Sequence, residues 1–156
     1  MVDEILSVVE IIPFQAGHAP WVLSTFWRQL RHAEGVDAKQ AFQYADALAR
    51  ALRGPARAYV ATPRGYADDP IGWAASVGGA VVFAYVRQDF RRHGIAIQLV
   101  GCLTAHPPVR LAFWTDDADA IQIHGFPVEY DIHAFREFLR YVRRNSHRSH
   151  TRKEAA

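Results

Sequence analysis

The chain has 156 residues, half of them hydrophobic and 22% charged, with a formal net charge of +2. That is one domain's worth of core, and it argues against intrinsic disorder. No apolar run approaches the roughly 20 residues that span a bilayer, and a single cysteine, Cys102, excludes an internal disulfide.

The first ten residues carry Asp3 and Glu4 where an export signal carries basic residues. Together with the lone cysteine, this points to a reducing, cytoplasmic home. Residues 6–14 are rich in Val and Ile and stop near Pro13, which predicts a first strand. Residues 19–32 place Trp21, Val22, Phe26 and Leu30 at near-helical spacing, with Pro20 suited to the first turn. Residues 37–52 predict a second helix: Asp37 caps it, Phe42, Ala45, Leu48 and Leu52 form its stripe, and Gly54-Pro55 ends it.

Short strands follow at 58–61 and 71–77, separated by a turn-rich loop at 63–70. Residues 80–86 form a continuous apolar run, as in a strand buried on both faces. Residues 95–105 read as an apolar helix stopped before Pro107-Pro108, with Cys102 expected in the core. A fifth strand is expected at 109–114, a short helix at 117–123, a turn at 125–127 and an amphipathic helix at 133–144, with Phe135, Phe138, Leu139 and Val142 inward. The expected architecture is an α/β (α+β) fold: a central mixed sheet flanked by helices. It forms one domain over 1–144, followed by a basic, disordered tail at 145–156 that offers a contact to nucleic-acid phosphates or simply a solvated end.

The stretch AVVFAYVRQDFRRHGIAIQLVGCL, at 80–103, carries the chemistry. A buried strand ends near Val86, and Arg91, Arg92, His93, Gly94, Ile95 and Ala96 then open a helix. A helix start leaves backbone N–H groups without intrahelical partners, and its dipole is positive there. Gly94 lacks a Cβ and Ala96 is small, so a ligand oxygen can come close to the backbone. Arg91 and Arg92 add positive charge. These features make an anion site suited to a pyrophosphate.

An apolar strand ending at Val86, four residues, then Arg91-x-x-Gly94-x-Ala96 resembles the coenzyme A signature of the GNAT N-acetyltransferase superfamily. The tripeptide Ala84-Tyr85-Val86 resembles it too, and WVLSTFWRQLR with FAYVRQDFRRHGIA is similar to short phage-encoded members. The resemblance implies a GNAT-like fold, acetyl-coenzyme A or another acyl-coenzyme A as cofactor, and direct attack by an amine in a ternary complex. It implies that the backbone of 88–96 wraps the pyrophosphate and that 84–86 pairs with the pantetheine arm. The next strand, at 109–114, would splay away to leave a gap for the thioester, and a backbone N–H of the central strand would polarise its carbonyl.

The family's acid and base are not evident. The strand at 80–86 holds no carboxylate, and the region after Trp114 reads Thr115-Asp116-Asp117-Ala118-Asp119, with no tyrosine before Tyr130. Tyr85, Asp116 and Tyr130 are the candidates. Each has a plain structural alternative: a core aromatic, a helix cap and a packing residue. Water is a further proton carrier, from an amine whose pKa falls on desolvation. The eight histidines show no metal-ligand spacing, so no metal is expected, and His124 before Gly125 fits a turn.

The first two helices would build the acceptor end, with Trp21, Phe26, Trp27, Phe42 and Tyr44 supplying aromatic surface and Arg28, Arg31 and His32 at its edge. Three functions fit: acylation of a small-molecule or protein amine, modification of a nucleic-acid base, and a non-catalytic GNAT-like fold that binds coenzyme A or a partner. A monomer or homodimer is expected, with no membrane partner.

Overall fold

The computed structural model describes residues 4–32, 36–77, 80–103, 109–111 and 128–130, with the helical positions Phe138, Arg140, Arg143 and Arg144. The elements run α1 (Glu4–Val8), β1 (Val9–Pro13), α2 (Ala19–Arg31), α3 (Ala38–Ala51), β2 (Arg57–Pro63), β3 (Gly72–Val77), β4 (Ala80–Val86), α4 (Ile95–Leu103), β5 (Val109–Leu111) and β6 (Val128–Tyr130). The strands form one mixed sheet in the order β1-β2-β3-β4-β5-β6. The pairs from β1 through β4 are antiparallel, and β4–β5 and β5–β6 are parallel. The expected mixed sheet flanked by helices is therefore present. Among the described residues no helix is long and apolar enough to cross a membrane.

Each sheet face has its own apolar layer. Ala61, Ala74, Val81, Ala84 and Val86 face α4, where they meet Ile95, Leu99, Val100 and Leu103. Val60, Trp73, Ala75, Val82 and Phe83 face α2 and α3, where they meet Val22, Phe26, Leu30, Ala41, Tyr44, Leu48 and the buried Phe138. Continuous apolar character in β4 is the consequence, since both faces are covered.

Four details depart from the sequence expectation. The first strand starts at Val9, because residues 4–8 close a helical turn in which the Ser7 hydroxyl donates to the Glu4 carbonyl at 2.6 Å. Ile5 and Leu6 both pack on the α4-side cluster, and two consecutive residues reach one layer from a helical turn but not from a pleated strand. On α3 the buried line is Ala41, Tyr44, Ala47, Leu48 and Ala51, while Phe42 is 68% exposed. Alanines at 41, 47 and 51 let α3 approach closely, so its small face turns inward. Cys102 is exposed, on the face of α4 that also holds the exposed Gln98, off the buried 95–99–103 line. The strand β6 was not anticipated; three residues carry little periodicity.

Other expectations hold. Asp37 caps α3, accepting from the Gln40 amide at 2.8 Å while the Gln40 side chain accepts from the Asp37 amide. Pro20 sits in the first turn of α2. The expected elements at 117–123 and 125–127 and the tail at 145–156 lie outside the described residues.

The α2-side core is built around aromatic rings. Phe26 meets Trp73 and Phe83 edge-on at 5.9 and 5.4 Å, and Trp73 stacks on Phe83 at 5.9 Å. The buried Trp73 indole N–H donates to the Thr25 hydroxyl at 2.8 Å, and that hydroxyl donates to the Val22 carbonyl at 2.9 Å. Thr25→Val keeps the shape but leaves the indole N–H unpaired. Its expected cost is about 1–3 kcal/mol, read as a lower Tm by calorimetry with the fold retained by circular dichroism.

Burial pushes the Tyr44 hydroxyl above its usual pKa, and the nearby Asp37 carboxylate adds to the shift. A raised folded pKa favours the protonated form. Its contribution to stability is complete below the unfolded value of 10.0 and is lost as pH rises through the folded value. Urea titrations above pH 10 should show this alkaline loss for the native chain, and a smaller one for Tyr44→Phe.

Candidate functional site

The segment between β4 and α4 is a compact turn. Arg87 N–H donates to the Ile71 carbonyl at 2.8 Å, tying the strand end to β3. A 3-10 turn spans Gln88–Phe90, with the Phe90 amide bonded to Arg87 O at 2.9 Å and the Arg91 amide to Gln88 O at 3.3 Å. The Arg91 Nε–H reaches back to the Val86 carbonyl at 2.9 Å, so this side chain clips the turn to the strand it leaves. Arg92 and Gly94 then take left-handed φ values of 67° and 81°. Glycine adopts that region freely, whereas Arg92 is held there at a cost of order 1 kcal/mol.

Gly94 O accepts the first helical bond, from the Gln98 amide at 3.1 Å. The amides of Ile95, Ala96 and Ile97 therefore open α4 without intrahelical acceptors. The helix dipole and the exposed Arg91 and Arg92 place positive potential at the same point. An added Cβ at Gly94 would have only Leu6 Cδ1 near it, at 3.8 Å, so α1 lies on one side of the turn. Donors, charge and space converge, and the arrangement can hold a diphosphate.

Gly72 sets how close α4 comes. It lies opposite Val86, and a Cβ there would stand 3.0 Å from Tyr85 O and 3.2 Å from Leu99 Cδ1. A glycine inside a strand pattern is the sequence signal of such a close approach.

A second feature lies further back along β4. The β3–β4 register shifts between Ala75 and Ser76: Ala75 pairs with Phe83 but Ser76 pairs with Val81, which leaves Val82 as an extra residue. Val82 and Phe83 accordingly face the same layer, breaking the alternation. No glycine marks this bulge, and sequence reasoning missed it. On the other edge of β4, the register pair with β5 among the described residues is Val81 with Leu111. Beyond it, the edge from Val82 to Val86 has no partner strand among the described residues.

The candidate residues divide as follows. Ala84, Tyr85, Val86, Arg91, Arg92, His93, Gly94, Ile95 and Ala96 lie on one continuous strand-turn-helix path. Tyr85 is half-buried on the α2 face, its ring edge-on to Trp21 at 5.8 Å and the Arg91 guanidinium 5.8 Å over it. It is three residues from Val82, roughly 10 Å along the strand. Tyr130 pairs with Leu111 on β6, two strands removed from β4. Asp116 and His124 lie outside the described residues. Of the expected acceptor-end aromatics, Phe26 and Tyr44 are core and Phe42 is exposed, while Trp21 and Trp27 are half-buried along α2. Among the described residues no three His, Cys, Asp or Glu side chains group as metal ligands.

No family model matches the sequence, and no curated protein does. Solved structures do. The chain is similar to a possible acetyltransferase from Clostridium difficile 630, with TM-score 0.56 and 13% identity over 80% of this chain and 95% of that one. It is similar to a ribosomal-protein-alanine N-acetyltransferase from Brucella melitensis biovar Abortus 2308, with TM-score 0.51 and 17% identity over 79% and 93%. It is also similar to the aminoglycoside N-acetyltransferase AAC(6')-Iy in complex with CoA, with TM-score 0.51 and 15% identity over 78% and 88%. The fold is that of the GNAT acetyltransferases.

Gly72→Ala should force α4 or β4 to shift and cost about 1–3 kcal/mol. Chemical denaturation should show the loss, with slowed thiol chemistry or exchange at Cys102 counting against it.

Proposed function

We propose that this chain is an acyl-coenzyme A-dependent N-acyltransferase that moves an acetyl group from acetyl-coenzyme A to an amine. The observation that carries the reading is the anion-ready turn, which continues directly from the end of the central strand β4 into α4. The turn at 88–96 would hold the diphosphate through the amides of Ile95, Ala96 and Ile97, with Arg91, Arg92 and His93 around it and Gly94 leaving room for the oxygens. The edge of β4 over Ala84, Tyr85 and Val86 would meet the extended amide-bearing arm in the manner of an added strand, with the Val86 carbonyl already held by Arg91. Residues and group fit in order and in chemistry.

When bound, acetyl-coenzyme A supplies an activated thioester carbonyl: the amine nitrogen forms a bond to carbon, the carbon–sulfur bond breaks, and the sulfur takes up the proton that the nitrogen gives up. The chain's part is to hold the partners in line and to exclude water. The bulge at Val82 releases backbone groups from the β3 ladder midway along β4, where an N–H would polarise the carbonyl. Tyr85 stands beside the turn, roughly 10 Å from the bulge, which favours a role in lining the arm over one in proton transfer. A desolvated amine, neutral before attack, needs only water to carry its proton. Tyr130 and Asp116 remain the alternatives for that step. The shared GNAT fold supports the reading as a whole.

Acetyl-coenzyme A at a hundredfold excess over its Kd should stabilise the chain by about 2.7 kcal/mol, a rise in Tm of several degrees. Gly94→Val, with a β-branched residue at positive φ, should still fold but lose that rise. No shift with acetyl-, propionyl- or succinyl-coenzyme A overturns the reading, and thiol release with an amine confirms turnover.

A further inference from the structure

We infer that the acceptor is a small amine carrying an anionic group, a carboxylate or phosphate, held by Arg31 and Arg28 at the end of α2. The inference rests on the acyl-transfer reading and names the substrate class of the same site. The direction of α2 is the starting point. Its Trp21 lies against Tyr85 and its Phe26 against Phe83, so the helix runs antiparallel to β4, from the turn towards the bulge. The turn end takes the diphosphate, and the arm runs from there to the bulge. The acceptor then approaches from the remaining end, which α2 reaches with its last turn. Arg31 lies five residues beyond Phe26, a further advance of roughly 7–8 Å.

That last turn is built to meet negative charge. The Arg31 guanidinium lies 4.8 Å over the half-buried Trp27 ring. A guanidinium held over an aromatic ring can still take a carboxylate or phosphate through two parallel bonds. Arg28, one turn earlier on the same face, is steered by its Nε–H to the Ser24 carbonyl at 3.4 Å. Both arginines are exposed residues. The helix APWVLSTFWRQLR contains no Asp or Glu, so neither arginine is neutralised from its own element, and neither has a carboxylate partner among the described residues. A polycationic amine would meet repulsion here, whereas an anion several ångströms from the reacting nitrogen would anchor it.

The test uses matched acceptors that differ only in charge: an amino acid and its decarboxylated amine, an aminoalkyl phosphate and its alcohol, and a polycationic aminoglycoside. With acetyl-coenzyme A saturating, release of free thiol is followed for each. The anionic member of each pair should show a kcat/KM roughly tenfold or more above its neutral partner, and the aminoglycoside should be poorest. Arg31→Ala should raise KM for the anionic member roughly tenfold while changing kcat little, and Arg31→Lys should restore part of it. A purely structural role would lower Tm and leave that KM split unmoved. Preference for the neutral or polycationic amines, indifference to Arg31, or no turnover of any member overturns the inference. So does faster acetylation of a single-stranded oligonucleotide than of every free amine. Loss of the acetyl-coenzyme A Tm shift in the native chain is a separate result, and overturns the cofactor reading instead.

Discussion

The contact between α4 and the sheet at Gly72 governs where everything else stands. A side chain at that position would press against the Tyr85 carbonyl and the Leu99 methyl. With hydrogen alone there, α4 lies close on β3 and β4, and the turn joining β4 to α4 becomes short. Its length is taken up by one 3-10 turn and two left-handed residues, Arg92 and Gly94. Those backbone angles present the first amides of α4 beside the end of β4, and Arg91 locks the arrangement by bonding the Val86 carbonyl. The anion-ready point is thus a consequence of packing as much as of composition.

The sheet then distributes two different tasks along one strand. Near its end, β4 alternates regularly, with Ala84 and Val86 towards α4 and Tyr85 towards α2. At Val82 the extra residue places two consecutive side chains in the α2 layer. The strand bends where a bulge sits, and its ladder is interrupted there. The aromatic cluster of Phe26, Trp73 and Phe83 fills the space beneath the bulge, with the Thr25 hydroxyl satisfying the indole N–H. Rigid aromatic packing covers this point on the α2 side, and among the described residues the pairing with β5 reaches Val81 beside it.

Charge follows the same axis. Arg87, Arg91 and Arg92 gather at the turn, and Arg28 and Arg31 gather at the far end of α2. Arg87 is partly engaged by Asp89 at 3.4 Å, an exposed pair worth little by itself. A low net charge of +2 conceals this bipolar placement, since the two basic groups are separated by an apolar middle. An elongated ligand with an anionic end near the turn, and an acceptor with an anion near Arg31, would suit it.

The sequence by itself determined the elements whose signals are local. Apolar periodicity marked α2, α3, β3 and β4. Capping chemistry marked the start of α3 at Asp37, and the run Arg91-x-x-Gly94-x-Ala96 after an apolar strand marked the turn, because positive φ and small residues leave a direct trace in residue type. What depends on contacts between distant segments did not show. The bulge at Val82 carries no special residue, since it arises from the register of two strands. Residues 6–8 fall inside the expected first strand, yet they belong to the helical turn at 4–8, whose Ile5 and Leu6 pack on the α4-side cluster. Phe42 has the size of a core residue, but the alanine face of α3 allows closer burial and leaves the ring outside. Only the tertiary structure decided these, because each is settled by which surfaces fit against one another across the fold, and residue type along the chain does not encode that fit.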